Sequence, residues 1–257
     1  MKVTVLGCGT SSGVPRLDGK GGDWGDCDPA EPRNHRTRVS ILIEHDGTRI
    51  LVDTSPDLRA QLLAEGGGRP DAVIWTHEHA DHCHGIDDLR PFYFHGQAPI
   101  RGYARDRARQ SLTSRFAFAF AGHQGYPAFL ACDLLPDSMT IGPITVRVAD
   151  LPHGQISSAG LRFDAGGKSI AYFTDFNDLP PDAETLLMAC DVWIVDAVRR
   201  RPHPTHPHLA RTLDWVARFG PTVAVLTHMD QSMDYATLCA ELPAGVVPGH
   251  DGLVIEP

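Results

Sequence analysis

With 257 residues, 42% of them hydrophobic, the chain can bury a large core, and its length fits one unit spanning 1–257. A formal charge of −9 argues against generic binding to long nucleic acids, which shows as a basic excess, but leaves an anionic small substrate open. No run of about 18 apolar residues occurs, and the six cysteines form neither a CxxC pair nor a short secreted framework, so a membrane span and a disulfide scaffold are not expected.

The opening Met1-Lys2-Val3-Thr4-Val5-Leu6 passes straight into Gly7-Cys8-Gly9, too short for a signal-peptide core, and a cytoplasmic, soluble protein is expected. Residues 7–38, rich in Gly, Pro and Asp, read as an irregular loop of a length that is usually functional. Val39 to Ile43 and Arg49 to Asp53 flank Asp46-Gly47 and predict a β-hairpin. A helix near 56–64, a strand at 72–76 and a polar loop opening a helix near 85–92 follow. Residues 101–120 read as a helix carrying Arg101, Arg105, Arg107, Arg109 and Arg115, ahead of Phe116, Phe118 and Phe120. Such interleaving can contact nucleic acid, and the solvated face of an amphipathic helix accounts for it as well. Strands near 141–149, 158–164 and 169–174 come next, the last two joined by Gly166-Gly167. The chain then alternates helix 182–189, strand 192–195, helix 208–219, strand 222–226, helix 234–241 and a final short strand. Hairpins followed by alternating helices and strands suit two packed sheets with helices on their outer faces.

Fourteen histidines are the most informative count, because neutral imidazole is the commonest metal ligand. Thr76-His77-Glu78-His79-Ala80-Asp81-His82 puts four ligand-type side chains into six residues directly after an apolar strand. Strand alternation would aim His77, His79 and Asp81 to one side, and a bend after His79 would free Asp81 and His82 for a second ion. Later candidates repeat one pattern, a ligand-type residue just past a strand: His153 after Val148 to Pro152, Asp175 after Ile170 to Thr174, and His228 after Ala224 to Thr227. Strand ends converging on one cleft make rigid mounts for a metal site.

In these residues the chain resembles the metallo-β-lactamase superfamily, whose HxHxDH motif stands here as His77, His79, Asp81 and His82. The resemblance runs nearly end to end. It implies an α/β fold, a four-layer αβ/βα sandwich, with His77, His79 and His153 on one divalent metal ion, Asp81, His82 and His228 on a second, and Asp175 bridging them. Asp53 matches an early aspartate that supports the ligands, and it also suits the turn Asp53-Thr54-Ser55-Pro56. Zinc, manganese or iron would suit such mixed ligands, zinc and manganese first.

Two metals sharing a water can lower its pKa to about 7, giving a bridging hydroxide without a protein nucleophile. Two dications less Asp81, Asp175 and that hydroxide leave the cluster near +1, which favours a phosphodiester anion. Asp81 is accordingly counted among the catalytic residues as well as the ligands. Protonation of the leaving oxygen falls to Arg201-Pro202-His203-Pro204-Thr205-His206-Pro207-His208. The resemblance favours His206 as general acid; spacing alone does not separate it from His203 or from His208, which could also cap the following helix.

The opening Gly7-Cys8-Gly9-Thr10-Ser11-Ser12-Gly13-Val14-Pro15-Arg16, then Asn34-His35-Arg36-Thr37-Arg38 and Leu226-Thr227-His228-Met229, is similar to the PhnP-like phosphodiesterases of phosphoribosyl 1,2-cyclic phosphate. That branch often carries three cysteines near 20–30 and a later histidine as a structural zinc site. Here only Cys27 stands in that region, and Asp230-Gln231 follow His228-Met229, so a four-ligand structural zinc site is not expected. A small cyclic phosphodiester is the expected substrate, without nucleic acid or membrane partners and with a homodimer left open. The alternatives are a transfer-RNA 3′-processing ribonuclease, favoured by the arginine-rich segment, and a non-catalytic carrier on the same scaffold.

Overall fold

Along the strands of the N-terminal hairpin, side chains of alternating parity enter two different cores. In the computed structural model, which describes residues 1–96 and 98–257, two seven-stranded sheets lie face to face. The first holds β1 (Lys2–Gly7), β2 (Ser40–His45), β3 (Thr48–Val52), β4 (Ala72–Trp75), β5 (Ile100–Ala104) and β6 (Leu130–Leu134). The second holds β7 (Ser138–Ile141), β8 (Ile144–His153), β9 (Ile156–Ala165), β10 (Lys168–Phe173), β11 (Val192–Asp196), β12 (Val223–Thr227) and β13 (Val246–Pro248); β14 (Leu253–Ile255) returns to pair with β1. Ile41, Ile43, Ile50, Val52 and Ile74 face the second sheet and pack with Val146, Leu161, Phe163, Ile170 and Tyr172. Leu42, Leu51, Val73 and Trp75, one residue out of phase, face the opposite way.

That outer face is covered by α1 (Leu58–Ala64), α2 (Ala80–Cys83), α3 (Arg90–Gly96), α4 (Asp106–Arg115) and α5 (Ala117–Phe120), through Leu58, Leu62, Cys83, Leu112 and Ala119. On the far side, α6 (Pro181–Leu187), α7 (Leu209–Phe219) and α8 (Tyr235–Glu241) bury Leu186, Leu187, Val216 and Leu238 against the second sheet. The result is the four-layer αβ/βα sandwich. No helix among the described residues is long and apolar enough to cross a membrane, and all six cysteines are free.

Two expectations need correction, and one strand was not foreseen. Residues 101–120 are not one helix: Ile100–Ala104 is a strand parallel to β4, so Arg101 lies on a sheet, and the helical part starts at Asp106 and breaks at Phe116. Gly102 hides that strand, because the Trp75 ring lies where its side chain would be, 2.4 Å from an added Cβ. The helix expected near 85–92 is a 3-10 turn, Ile86–Leu89, running into α3. Lys2–Gly7, weighed only as a leader, is a central strand between β2 and β14.

In both sheets antiparallel pairing gives way to parallel pairing: β3, β4, β5 and β6 are parallel neighbours, as are β10, β11, β12 and β13. The loop after β1 is threaded beside the exit of β12 by Met229 N donating to Cys8 O (2.9 Å) and Thr10 N donating to Met229 O (3.1 Å). Gly9 permits this approach, since a Cβ there would lie 2.9 Å from the carbonyl oxygens of Arg36 and Thr37.

Candidate metal centre

Ligands of open α/β sheets gather outside the carboxyl ends of parallel strands, and here those ends carry Asp53 after β3, His77 after β4, Asp175 after β10, Asp196 closing β11 and His228 after β12. Three of them leave their strands in the left-handed region: Asp53 at φ 62°, Asp175 at φ 55° and His228 at φ 56°. Asp and His tolerate this conformation better than most residues, yet it costs on the order of 1–3 kcal/mol each. Backbone strain is therefore held where the ligand-type side chains turn inward.

All seven expected ligands converge. His77, His79, His153 and Asp175 offer ligand atoms within 4.8 Å of one another, and so do Asp81, His82, Asp175 and His228. Asp175 belongs to both groups, and its two oxygens divide the work. Oδ2 lies 3.7 Å from His77 Nε2 and 3.5 Å from His153 Nε2. Oδ1 lies 3.2 Å from His82 Nε2 and 3.4 Å from His228 Nε2. Asp81 Oδ2 completes the second group, 3.4 Å from His82 Nε2 and 3.5 Å from His228 Nε2. Ligand bonds of about 2.0–2.2 Å in tetrahedral array put ligand atoms about 3.3–3.6 Å apart, so the spacing fits a divalent ion in each group. The Nε2 atoms of His77, His82 and His228 are buried without a hydrogen-bond partner, as metal-facing nitrogens would be.

A further shell sets the rings. Asp53, fully buried, accepts from Thr76 N (2.8 Å) and lies 2.7 Å from His82 Nδ1, which turns Nε2 toward Asp175. Asp53 thus orients the His82 ring as well as starting its turn. His153 Nδ1 is 3.0 Å from Thr205 O, with Nε2 facing the site. Burial by itself would lower His228, but Asp175, Asp196 and Asp81 outweigh it and raise the imidazole to about 9. Burial would likewise raise Asp175, and His228, His82 and His206 hold it well below the usual carboxylate range instead. Metal binding to such a centre would displace protons from its buried histidines, His82 and His228 above all.

The three histidines of the 201–208 stretch part company. His206 turns inward, its Nδ1 2.7 Å from Asp196 Oδ2, its Nε2 3.8 Å from Asp175 Oδ2, and its ring stacked on His228 at 4.7 Å. His203 stays at the mouth, accepting from Thr205 N. His208 does precede α7, but its side chain makes no capping bond. Asp196 was missed in the sequence, although it ends Val192-Trp193-Ile194-Val195 much as the other ligand-type residues follow their strands. It also accepts from Asp175 N (3.0 Å), and with His206, Asp175 and His228 it forms a third close group.

The centre opens into a cavity of about 300 Å³ whose rim adds Ser11 and Arg16 from the first long loop and Arg199 from the loop after β11. Behind that rim the 17–35 loop is held by a buried guanidinium. Arg36 donates to Met233 O (2.6 Å) and lies 3.8 Å from Cys27 Sγ, while Asn34 Nδ2 donates to Asp234 Oδ2 (2.7 Å).

Comparison with known proteins agrees with this architecture. The family model described as "Beta-lactamase superfamily domain" matches residues 48–229. An octanoyltransferase of Porphyromonas gingivalis is 32% identical over 98% of the chain, and the chain spans about half, 51%, of that relative's length. The crystal structure of a new diphosphatase from the PhnP family superposes with a TM-score of 0.89 at 32% identity, covering 99% of this chain and 97% of that one. Zinc-bound PqqB from Methylobacterium extorquens shares the fold at 19% identity, with a TM-score of 0.78 over the full length of both chains. The chain belongs to the metallo-β-lactamase superfamily and, on its end-to-end likeness, is a PhnP-like member of it.

Proposed function

We propose that the chain is a dinuclear metal-dependent phosphodiesterase acting on a small cyclic phosphodiester such as phosphoribosyl 1,2-cyclic phosphate. The observation that carries this reading is the split of the Asp175 carboxylate, one oxygen toward His77 and His153, the other toward His82 and His228. His77, His79 and His153 would hold one ion, Asp81, His82 and His228 the other, and Asp175 both. When bound, such a pair lowers the pKa of water toward about 7 and polarises a phosphoryl oxygen.

The chain's own residues would do the rest. Asp53 and Thr76 keep the His82 ring in place. Asp196 accepts a hydrogen bond from His206 Nδ1–H, which leaves Nε2 facing the cavity; in the doubly protonated ring that Nε2–H would be given to the departing oxygen. A ribonuclease reading is less favoured, because several arginines of α4 and its approach are paired within the chain. Arg105 pairs with Asp137 and Asp150, Arg107 with Glu78, and Arg109 with Asp106.

A second reading, hydrolysis of a diphosphate, is favoured by the PhnP-family relative described as a diphosphatase. Metal-reconstituted protein should be offered phosphoribosyl cyclic phosphate, a 2′,3′-cyclic nucleotide, an aryl phosphodiester, a nucleoside diphosphate, precursor transfer RNA and a β-lactam. Turnover of the cyclic esters is expected, with close to two ions per chain by elemental analysis and fewer in Asp175→Ala. Cleavage of the diphosphate alone would select the second reading, cleavage of transfer RNA alone the ribonuclease, and no turnover at all a carrier.

A further inference from the structure

The cavity mouth carries two arginines that the metal chemistry does not use. Arg16 and Arg199 approach from different segments, the first long loop and the loop after β11. Each is firmly mounted. Arg16 exchanges both backbone hydrogen bonds with Asp23 (3.0 and 2.9 Å), and two residues back Val14 does the same with the buried Arg36 (2.9 and 3.0 Å). The Arg199 carbonyl accepts from Leu209 N (2.9 Å), and its guanidinium donates to Arg201 O (3.1 Å) and Pro202 O (2.6 Å).

Neither charge is well matched. The Arg16 guanidinium has a carboxylate oxygen, Asp230 Oδ2, only at 3.9 Å, and its Nε is buried without a partner. The other oxygen of Asp230 is already engaged by Ser232 N (2.8 Å) and Ser232 Oγ (2.6 Å). Among the described residues no carboxylate lies within 4.0 Å of the Arg199 guanidinium. Arg16, Arg199 and Asp230 together leave one uncompensated positive charge at the rim, beside the exposed Ser11.

We propose that Arg16 and Arg199 form an anion subsite that takes a phosphomonoester group of the substrate, separate from the phosphoryl group under attack. A guanidinium offers charged N–H donors that match phosphate oxygens, and the Arg16 fork together with the remaining N–H groups of a braced Arg199 suits a dianion with little ordering left to do on binding. This rests on the phosphodiesterase reading for the identity of the substrate. The charge arrangement at the rim is independent of it.

The test uses a matched pair, 2′,3′-cyclic AMP and the same nucleotide bearing a 5′-phosphate, with metal-loaded enzyme. The 5′-phosphorylated member should have the lower KM. Arg16→Gln and Arg199→Gln should each raise that KM at least about tenfold more than the KM of the unphosphorylated member, with kcat changed little, as expected for a lost charge-assisted contact. Arg16→Gln guards against disturbance of the 199–203 loop, which Arg199→Gln could cause. Calorimetric binding of ribose 5-phosphate to the same proteins gives a readout free of turnover, and it should weaken in both variants. Equal KM changes for both nucleotides, or ribose 5-phosphate binding that ignores both substitutions, would overturn the subsite. Binding that depends on both arginines without turnover of either nucleotide or of phosphoribosyl 1,2-cyclic phosphate would keep the subsite and sink the phosphodiesterase reading.

Discussion

Asp196 touches more of the centre than any ligand-type residue outside the two metal groups: it accepts from Asp175 N, pairs with His206 Nδ1 at 2.7 Å and lies 4.0 Å from His228 Nδ1. Its contact with Nδ1 holds the His206 ring so that Nε2 is the nitrogen that faces the cavity. If His206 protonates the leaving oxygen, His206→Ala should retain both ions and lose roughly 10²–10⁴-fold in rate. The loss should be much smaller on a nitrophenyl ester, whose phenolate departs unprotonated. Equal losses on both esters would make His206 a positioning residue, and loss of metal would make it a ligand, which its 3.8 Å approach to Asp175 Oδ2 permits. Single residues were legible in the sequence where a strand end and a ligand type coincide, as at His77, Asp175 and His228. Asp196 shows the same coincidence, but a lone carboxylate at a strand end is more often a turn residue, and Arg16 and Arg199 carry no spacing at all; their roles exist only once two distant loops meet.

At the scale of elements, α4 proves to be a brace. Arg107 Nε donates to Glu78 Oε1 (2.7 Å), Arg115 Nη1 to Glu78 O (2.6 Å), and Arg115 Nη2 reaches Cys83 Sγ (3.2 Å), so one helix grips both sides of the His77–His82 segment. Arg115→Ala should therefore weaken metal binding by on the order of tenfold, the low end for groups that support ligands from behind. Competition with a chelator measures this, and unchanged affinity would reduce the contact to surface packing. The interleaved basic and aromatic pattern of 101–120 was visible in the sequence, but its meaning was not, because the partners Glu78, Asp137 and Asp150 lie elsewhere in the chain. The hairpin at 39–53 was legible from two aliphatic runs flanking the turn pair Asp46-Gly47. Strand β5 was not, because two of its three buried positions are Gly102 and Ala104, small where Trp75 needs room.

For the molecule as a whole, the centre straddles the seam between the two sheets. Asp53 and the His77–His82 segment come from the first, while His153, Asp175, Asp196 and His228 come from the second. The layered plan was foreseeable from the order of elements, and the convergence of strand ends on one cleft from the ligand-type residues that follow them; that this cleft lies on the seam between the sheets was not, since it depends on how the sheets face each other. A filled centre would act as a reversible cross-link, closing chain loops between residue 77 and residue 228 much as covalent bridges do. Its effect should fall on the rate at which the layers part rather than on the rate at which they form, provided the centre assembles late. Stripping the ions with a chelator should then accelerate unfolding in denaturant while leaving refolding little changed, and equal unfolding rates with and without metal would show that the seam is held by its apolar packing alone. A hydrolase built this way would carry its lock on the same seam as its chemistry, so that scarcity of metal would shorten the life of the folded chain as well as silence it.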